Sequence, residues 1–367
     1  MKRINRVRQC WLVVVYLLLT GCAVTPIAPP ASKTLVEPLL TRGVAPLTTV
    51  ASLPVLNVNI AVFDLPESGK GRISRIYQPI REAEAIYLPV VLRDTLMASG
   101  LWGAVRIGPG PNDSSELQVE ATVLVSTAIE QQLHVRATDA RGHVWIDQVY
   151  AGAANTAVYQ QESYGVQPFQ DLYNRIANDL FRTLQLLAPA DGEEIIRAAM
   201  LRYAFALSPE VFGRYLTTGA DGLMVVTGLP AVTDRMYARV NRIRQSEYGF
   251  SDAMDEQFGR YYDRLQKVYP FWLQYSYELL AYNNQISEKP RRSRPGSWAA
   301  TEDVYRAFRE YKLNEDELRE LSDSFRTEVE PTVAEFEGKV LDLSGPLSIQ
   351  YQTWRRVLRE LYAEERE

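Results

Sequence analysis

The chain has 367 residues, 46% hydrophobic and 23% charged, a balance that supports a buried core rather than a disordered tail. Its net charge of -5 offers no basic excess for nucleic acid or an anionic lipid face. Two cysteines (Cys10, Cys22) and two histidines (His134, His143) exclude a multi-disulfide framework and leave a zinc site short of ligands.

The first stretch has the three parts of a secretory signal. Lys2, Arg3, Arg6 and Arg8 form a basic start without an acid, and Trp11 to Leu19 is apolar but too short to span a bilayer. Leu19-Thr20-Gly21-Cys22 then resembles the lipobox of bacterial lipoproteins. That resemblance implies cleavage before Cys22 and acylation of its thiol and new amino group, so residues 1–21 are a signal and Cys22 is the lipidation site. It also leaves no thiol for catalysis or metal binding, and loss of the four basic residues takes the charge to about -9. Ala23, where an Asp favours inner-membrane retention in that family, implies the outer membrane. Beyond Cys22 no apolar run approaches the roughly 18 residues of a spanning helix, so the acyl chains are the expected attachment. The remaining length of about 345 residues predicts two domains.

Residues 22–52, rich in Pro, Ala, Thr and Val, read as a lipidated tether. A first module is expected over 53–190. Val58, Ile60 and Val62 alternate with Asn57, Asn59 and Ala61 as a strand, and Pro79 to Ser99 is helical, with Pro89 kinking it or starting its second half. Gly69-Lys70-Gly71-Arg72 lacks the first glycine and the Ser/Thr of a phosphate loop and is read as a loop. Strands follow at Ala104–Ile107, Glu116–Thr127, Gln131–Ala137 and His143–Tyr150, with Asp139-Ala140-Arg141-Gly142 as a hairpin turn. Pro168 opens an amphipathic helix to about Leu187. This order predicts an α+β layer. The strand "IAVFDL", the helix–strand "LRDTLMASGLWGAVRI" and the hairpin "LHVRATDARGHVWIDQVYAG" resemble the periplasmic α+β domain of the curli-secretion lipoprotein and the TolB N-terminal domain. The resemblance covers about Ser52 to Ala188 and implies docking or ring assembly. It carries over no catalytic residue, and the membrane-inserting hairpins of the curli pore are not evident.

Residues 191–367 are expected to form a mostly helical domain. Ser208-Pro209-Glu210 reads as an N-cap with Pro at the first helical position. Leu223–Val226 reads as a short strand or buried connector. A long helix is predicted from about Ala231, then helices over Phe271–Ile286, from Asn314 to about Lys339, and from Leu347 to Glu365. Gly249 and Ser251 are candidate breaks in the long helix. Its residues Met236, Val240, Ile243, Phe250, Phe258 and Tyr261 recur at helical spacing and form the candidate partner interface.

Chemistry-bearing residues are sparse. His134 and His143 lie on facing strands of the hairpin without adjacent metal ligands, and no Gly-x-Ser-x-Gly elbow is present. Glu82, Glu84, Glu193 and Glu194 could supply two carboxylates for glycan cleavage, but acids at helix starts also complement the helix dipole. Tyr248, Tyr261, Tyr262, Tyr269, Tyr275, Tyr277 and Tyr282 are bundle core or an aromatic binding surface. Lys289, Arg291, Arg292 and Arg294 are a solvated loop or a phosphate contact, and Trp102 and Trp145 belong to the first module's core. The expectation is a non-enzymatic, outer-membrane-anchored scaffold or assembly part of an envelope secretion, export or surface-polymer machine. Its expected partners are the membrane, an envelope complex and further copies of itself, with no cofactor and no nucleic acid. The alternatives are a peptidoglycan-remodelling enzyme and a glycan- or lipid-binding lipoprotein.

Overall fold

Five strands form the framework of the computed structural model, which describes residues 37–42, 53–65, 72–159, 167–231, 233–288, 332–336 and 339–364. The fold is α+β. In chain order β1 (Val58–Ala61), α1 (Arg72–Ser99) and β2 (Val105–Gly108) are followed by β3 (Leu117–Ser126), β4 (Glu130–Asp139) and β5 (Val144–Ala153). The sheet order is β2-β1-β3-β4-β5, with β1 parallel to both neighbours and β3-β4-β5 an antiparallel meander.

The alternation in β3 and β4 sets the buried face. Leu117, Val119, Ala121 and Val123 face Asp139, Ala137, Val135 and Leu133 across the ladder, and the hydrophobic members of both rows are buried. Gly142, at φ 89°, makes the β4–β5 turn, a backbone conformation that a side chain would strain. Helices α1 and α2 (Gln170–Leu186) cover this face. Leu172 of α2 lies so close to Gly152 of β5 that an added Cβ there would stand 3.0 Å from its Cβ.

Helix α1 is a single element from Arg72 to Ser99, beginning before the expected Pro79 and continuing through Pro89. Proline has no N–H for the carbonyl four residues back. That carbonyl, on Ala85, instead accepts the Phe63 N–H at 3.0 Å, so the strand exit satisfies the group that the proline leaves open.

The same unit, which runs from Glu37 onward, continues with the helices α3 (Pro189–Leu207), the single turn α4 (Pro209–Phe212), α5 (Arg235–Leu265) and α6 (Tyr269–Glu288). Helix α3 was not expected; Pro189 starts it, and the Asp191 carboxylate accepts the Ala188 N–H. Ser208 is the N-cap residue of α4 with Pro209 at the first helical position, as expected, but its buried side chain makes no capping hydrogen bond. The short β6 (Leu216–Thr218) and β7 (Met224–Val226) pair antiparallel. Asp234 caps α5 by accepting the N–H groups of Met236 and Tyr237, and α5 continues unbroken past Gly249 and Ser251.

Of the helix expected from Asn314 to about Lys339, residues 314–331 lie outside the described residues. Its end is instead a strand pair, β8 (Thr332–Phe336) with β9 (Lys339–Leu343), in the register Phe336↔Lys339. The β-branched Thr332 and Val333, alternating hydrophobicity and two intervening residues favour a hairpin over a helix end. The final helix is α7 (Leu347–Glu364), whose Trp354, Leu358, Leu361 and Tyr362 are buried.

Helix α5 closes the β2 edge. The Ile107 N–H, which points away from β1, donates to the Asp255 carboxylate at 2.9 Å, and Arg106 pairs with Asp252. On its other side Phe250 stacks on Trp354 of α7, with ring centroids 4.9 Å apart. Phe250→Ala is therefore expected to lower stability by about 3–5 kcal/mol through the cavity it leaves. Met97→Ala, at a position 59% exposed, should change it by less than about 0.5 kcal/mol. Urea unfolding of the two variants checks the contrast.

Candidate functional site

The expected partner interface faces inward. Val240, Ile243, Phe250 and Phe258 are at most 2% exposed, and Met236 and Tyr261 are half-buried against the same core. This corrects the reading of the α5 seam as an exposed docking surface. Helical spacing shows that a face must be covered but not by whom, and here α1, β2, α3 and α7 of the same chain cover it.

The polar residues of α5 tie these elements together. The Arg244 guanidinium donates to the Ser114 carbonyl at 2.6 Å and to Glu116 at 2.8 Å, while the other Glu116 oxygen accepts the Asn57 N–H. One turn further on, Glu247 is fully buried and accepts the Tyr351 hydroxyl at 2.9 Å, with Arg355 3.8 Å away as an ion pair. Arg355 and Arg202 both reach Asp113, at 3.2 and 3.1 Å. Burial raises the Glu247 carboxyl above its ordinary value, against the pull of Arg355.

A second buried carboxylate, Glu84 on α1, accepts from Ser126 (2.7 Å), Tyr269 (2.8 Å) and Arg81 (2.8 Å). Burial raises its carboxyl as well. Around it Tyr87 packs on Tyr262 and Tyr269, with ring centroids 4.5 Å apart in each case. The tyrosines thus divide. Tyr269 is core, Tyr248 bonds the Ser114 carbonyl, and Tyr277 stacks on Tyr159. The Tyr282 side chain lies outside the described residues.

The remaining candidates are engaged or apart. Glu193 pairs with Arg197 on its own helix, Glu194 faces Arg141, and Glu82 is exposed. His134 sits on the open sheet face with Asp147 at 2.8 Å, whereas His143 lies by the turn, 3.9 Å from Asp139. Asp139 itself accepts the Arg141 and His143 N–H groups and the Trp145 indole. Trp102 and Trp145 are buried with ring centroids 6.4 Å apart. Among the described residues no group of three His, Cys, Asp or Glu could hold a metal, and no helix is long and apolar enough to cross a membrane. Cys22 and Lys289, Arg291, Arg292 and Arg294 lie outside the described residues.

One set of residues escaped the sequence reading. Gln170, Asn174, Asn178 and Arg182 recur every four residues and form a polar ridge along α2, against which Glu37–Arg42 lies. Asn178, 1% exposed, spends its whole amide there. Its oxygen accepts the Leu40 N–H at 2.8 Å, and its nitrogen donates to the Pro38 carbonyl and the Glu37 carboxylate at 3.0 and 3.1 Å. Asn174 donates to the Glu37 carbonyl, Arg182 pairs with the Glu37 carboxylate, and the Arg42 N–H donates to Ser99 at the end of α1. The Asn178 hydrogen bond holds the Glu37 carboxyl below its ordinary value. The available signal was the four-residue recurrence of amides, with two Asn inside a helix where Asn is a poor former.

Ordering Glu37–Arg42 costs about 6–12 kcal/mol at roughly 1–2 kcal/mol per residue. The hydrogen bonds named, at about 1 kcal/mol each, and two partly buried leucines offset about 8–9 kcal/mol of it. The docking of this segment is close to balance. Compared with known proteins, the chain matches no family model and no curated sequence.

The two buried glutamates set a pH dependence. Both favour the protonated form in the folded state, so above about pH 4.5 the unfolded chain releases these protons first and stability falls as pH rises. The fall ends once the raised folded-state values are passed. Glu84→Gln and Glu247→Gln should each flatten it, read as urea midpoints from about pH 4 to pH 8. An unchanged slope in both would contradict the assignment.

Proposed function

We propose that this chain is a lipoprotein anchored in the outer membrane through Cys22, with a periplasm-facing body that acts as a scaffold or assembly part of an envelope secretion, export or surface-polymer machine. The observation that carries the reading is Leu19-Thr20-Gly21-Cys22, placed directly after a basic start and a short apolar run. Several acyl chains on one residue hold a protein stably, where a single chain is marginal. Ala23 supports the outer membrane as the destination.

The scaffold part of the reading draws support from how the charged side chains are used. Glu116, Glu247, Asp113 and Asp255 each meet an arginine on another element of the same chain, and these contacts join the loop before β3 to the helices and the helices to one another. Such groups serve to hold a shape. The α+β layer over 53–190 is the docking unit in this proposal, and a body of this kind can present several surfaces at once to an envelope complex or to further copies.

The anchor is tested with Cys22→Ser in cells fed a clickable fatty acid. The expected outcome is loss of label and release of the body from the membrane fraction. Label that persists on the variant would place acylation elsewhere and contradict Cys22 as the anchor.

A further inference from the structure

We infer that α2 carries an extended-peptide groove, read by Asn174, Asn178 and Arg182, and that Glu37–Arg42 is its resident and exchangeable occupant. The contacts have the character of peptide recognition. The two asparagines address the main chain of the segment, its Leu40 N–H and its Glu37 and Pro38 carbonyls, and so fix the course of its backbone. Arg182 and the second Asn178 amide hydrogen read the Glu37 carboxylate and so select an acid at the first position. Leu39 and Leu40 pack against the core beneath, while Pro38 and Arg42 face solvent. The ligand class is thus a short extended peptide, acid-Pro-Leu-Leu.

Three observations make this more than local packing. The partners are about 140 residues apart in sequence, so the segment arrives on α2 as a separate strip of chain. Asn178 is buried, and among the described residues its side-chain hydrogen bonds go to this segment alone, which leaves its amide unsatisfied there when the segment departs. The segment also lies in the stretch expected to be a tether, between Cys22 and the first strand. From Cys22 an extended chain reaches at most about 50 Å to Glu37 but about 105 Å to Leu53, at about 3.4 Å per residue. Docking therefore halves the reach of the arm. That consequence rests on the lipid anchor; the groove itself does not.

The test uses the full chain and a fluorescent peptide of residues 35–44. On the Leu39→Asp/Leu40→Asp chain, whose own segment is evicted, the peptide should bind at least tenfold more tightly than on the unmodified chain. Adding Asn178→Ala should weaken it at least tenfold, and a scrambled peptide should not bind. Equal uptake by the evicted and unmodified chains, or indifference to Asn178→Ala, would overturn the groove. Hydrogen exchange on the unmodified chain is independent of any variant. The Leu40 amide should be protected, and saturating peptide should speed its exchange at least threefold while α2 amides keep theirs. A Leu40 amide that exchanges freely from the start, or one that excess peptide leaves unmoved, would overturn the inference. Neither readout needs the lipid, so failure of the anchor and failure of the groove are separable.

Discussion

The seating of α5 on the sheet edge is the constraint on which the rest of the fold depends. Asp255 takes the outward N–H of Ile107 and also binds Arg93 of α1, while Arg244 binds Glu116 at the entrance to β3. These contacts lie on one long helix and fix it against three separate parts of the α+β layer. Both members of the Arg244–Glu116 pair are nearly buried, so removing either would leave a charge uncompensated at a cost of about 3–5 kcal/mol. With α5 in place its opposite side becomes the floor for α7, where Phe250, Glu247 and Val240 meet Trp354, Tyr351 and the final turns. The helical half is held to the sheet by charge pairing and by a shared core.

Much of the α+β layer was legible because its signals are local. The alternation of β3 and β4, the Asp139–Gly142 turn and the stripe of α2 each follow from residues a few positions apart, and the structure has them within a few residues. Helix α3 was missed because Ala198, Ala199 and Ala204 let it pack closely without a strong stripe. The β8–β9 hairpin was overlooked because its charged residues continue the helical pattern read from Asn314, although Thr332 and Val333 favour a strand. The α5 seam failed in a different way. Its face was correctly found, but a periodic apolar face is the same whether a partner or the chain's own α7 covers it. Asn178 shows the limit most clearly, since its polarity is visible in sequence and its partner, 138 residues away, is not.

The two halves of the functional reading therefore rest on different physics. The proposed anchor rests on Leu19-Thr20-Gly21-Cys22, a short-range pattern that resembles a lipobox and is read without reference to the fold. The body contributes a packed core in which buried Glu116 and Glu247 meet arginines of other elements, and one strip of chain held by side-chain amides close to thermodynamic balance. The proposed scaffold role would draw on both, because packed faces preserve geometry while a marginally docked strip is the part that conditions can move.

The most direct measurement of the central claim is cross-linking of the tagged full chain in intact cells, with identification of what co-purifies. The account predicts a reproducible set of envelope-machine components that is lost when Cys22 is replaced by Ser. Recovery of the protein with peptidoglycan fragments alone, unchanged by that replacement, would contradict the scaffold reading.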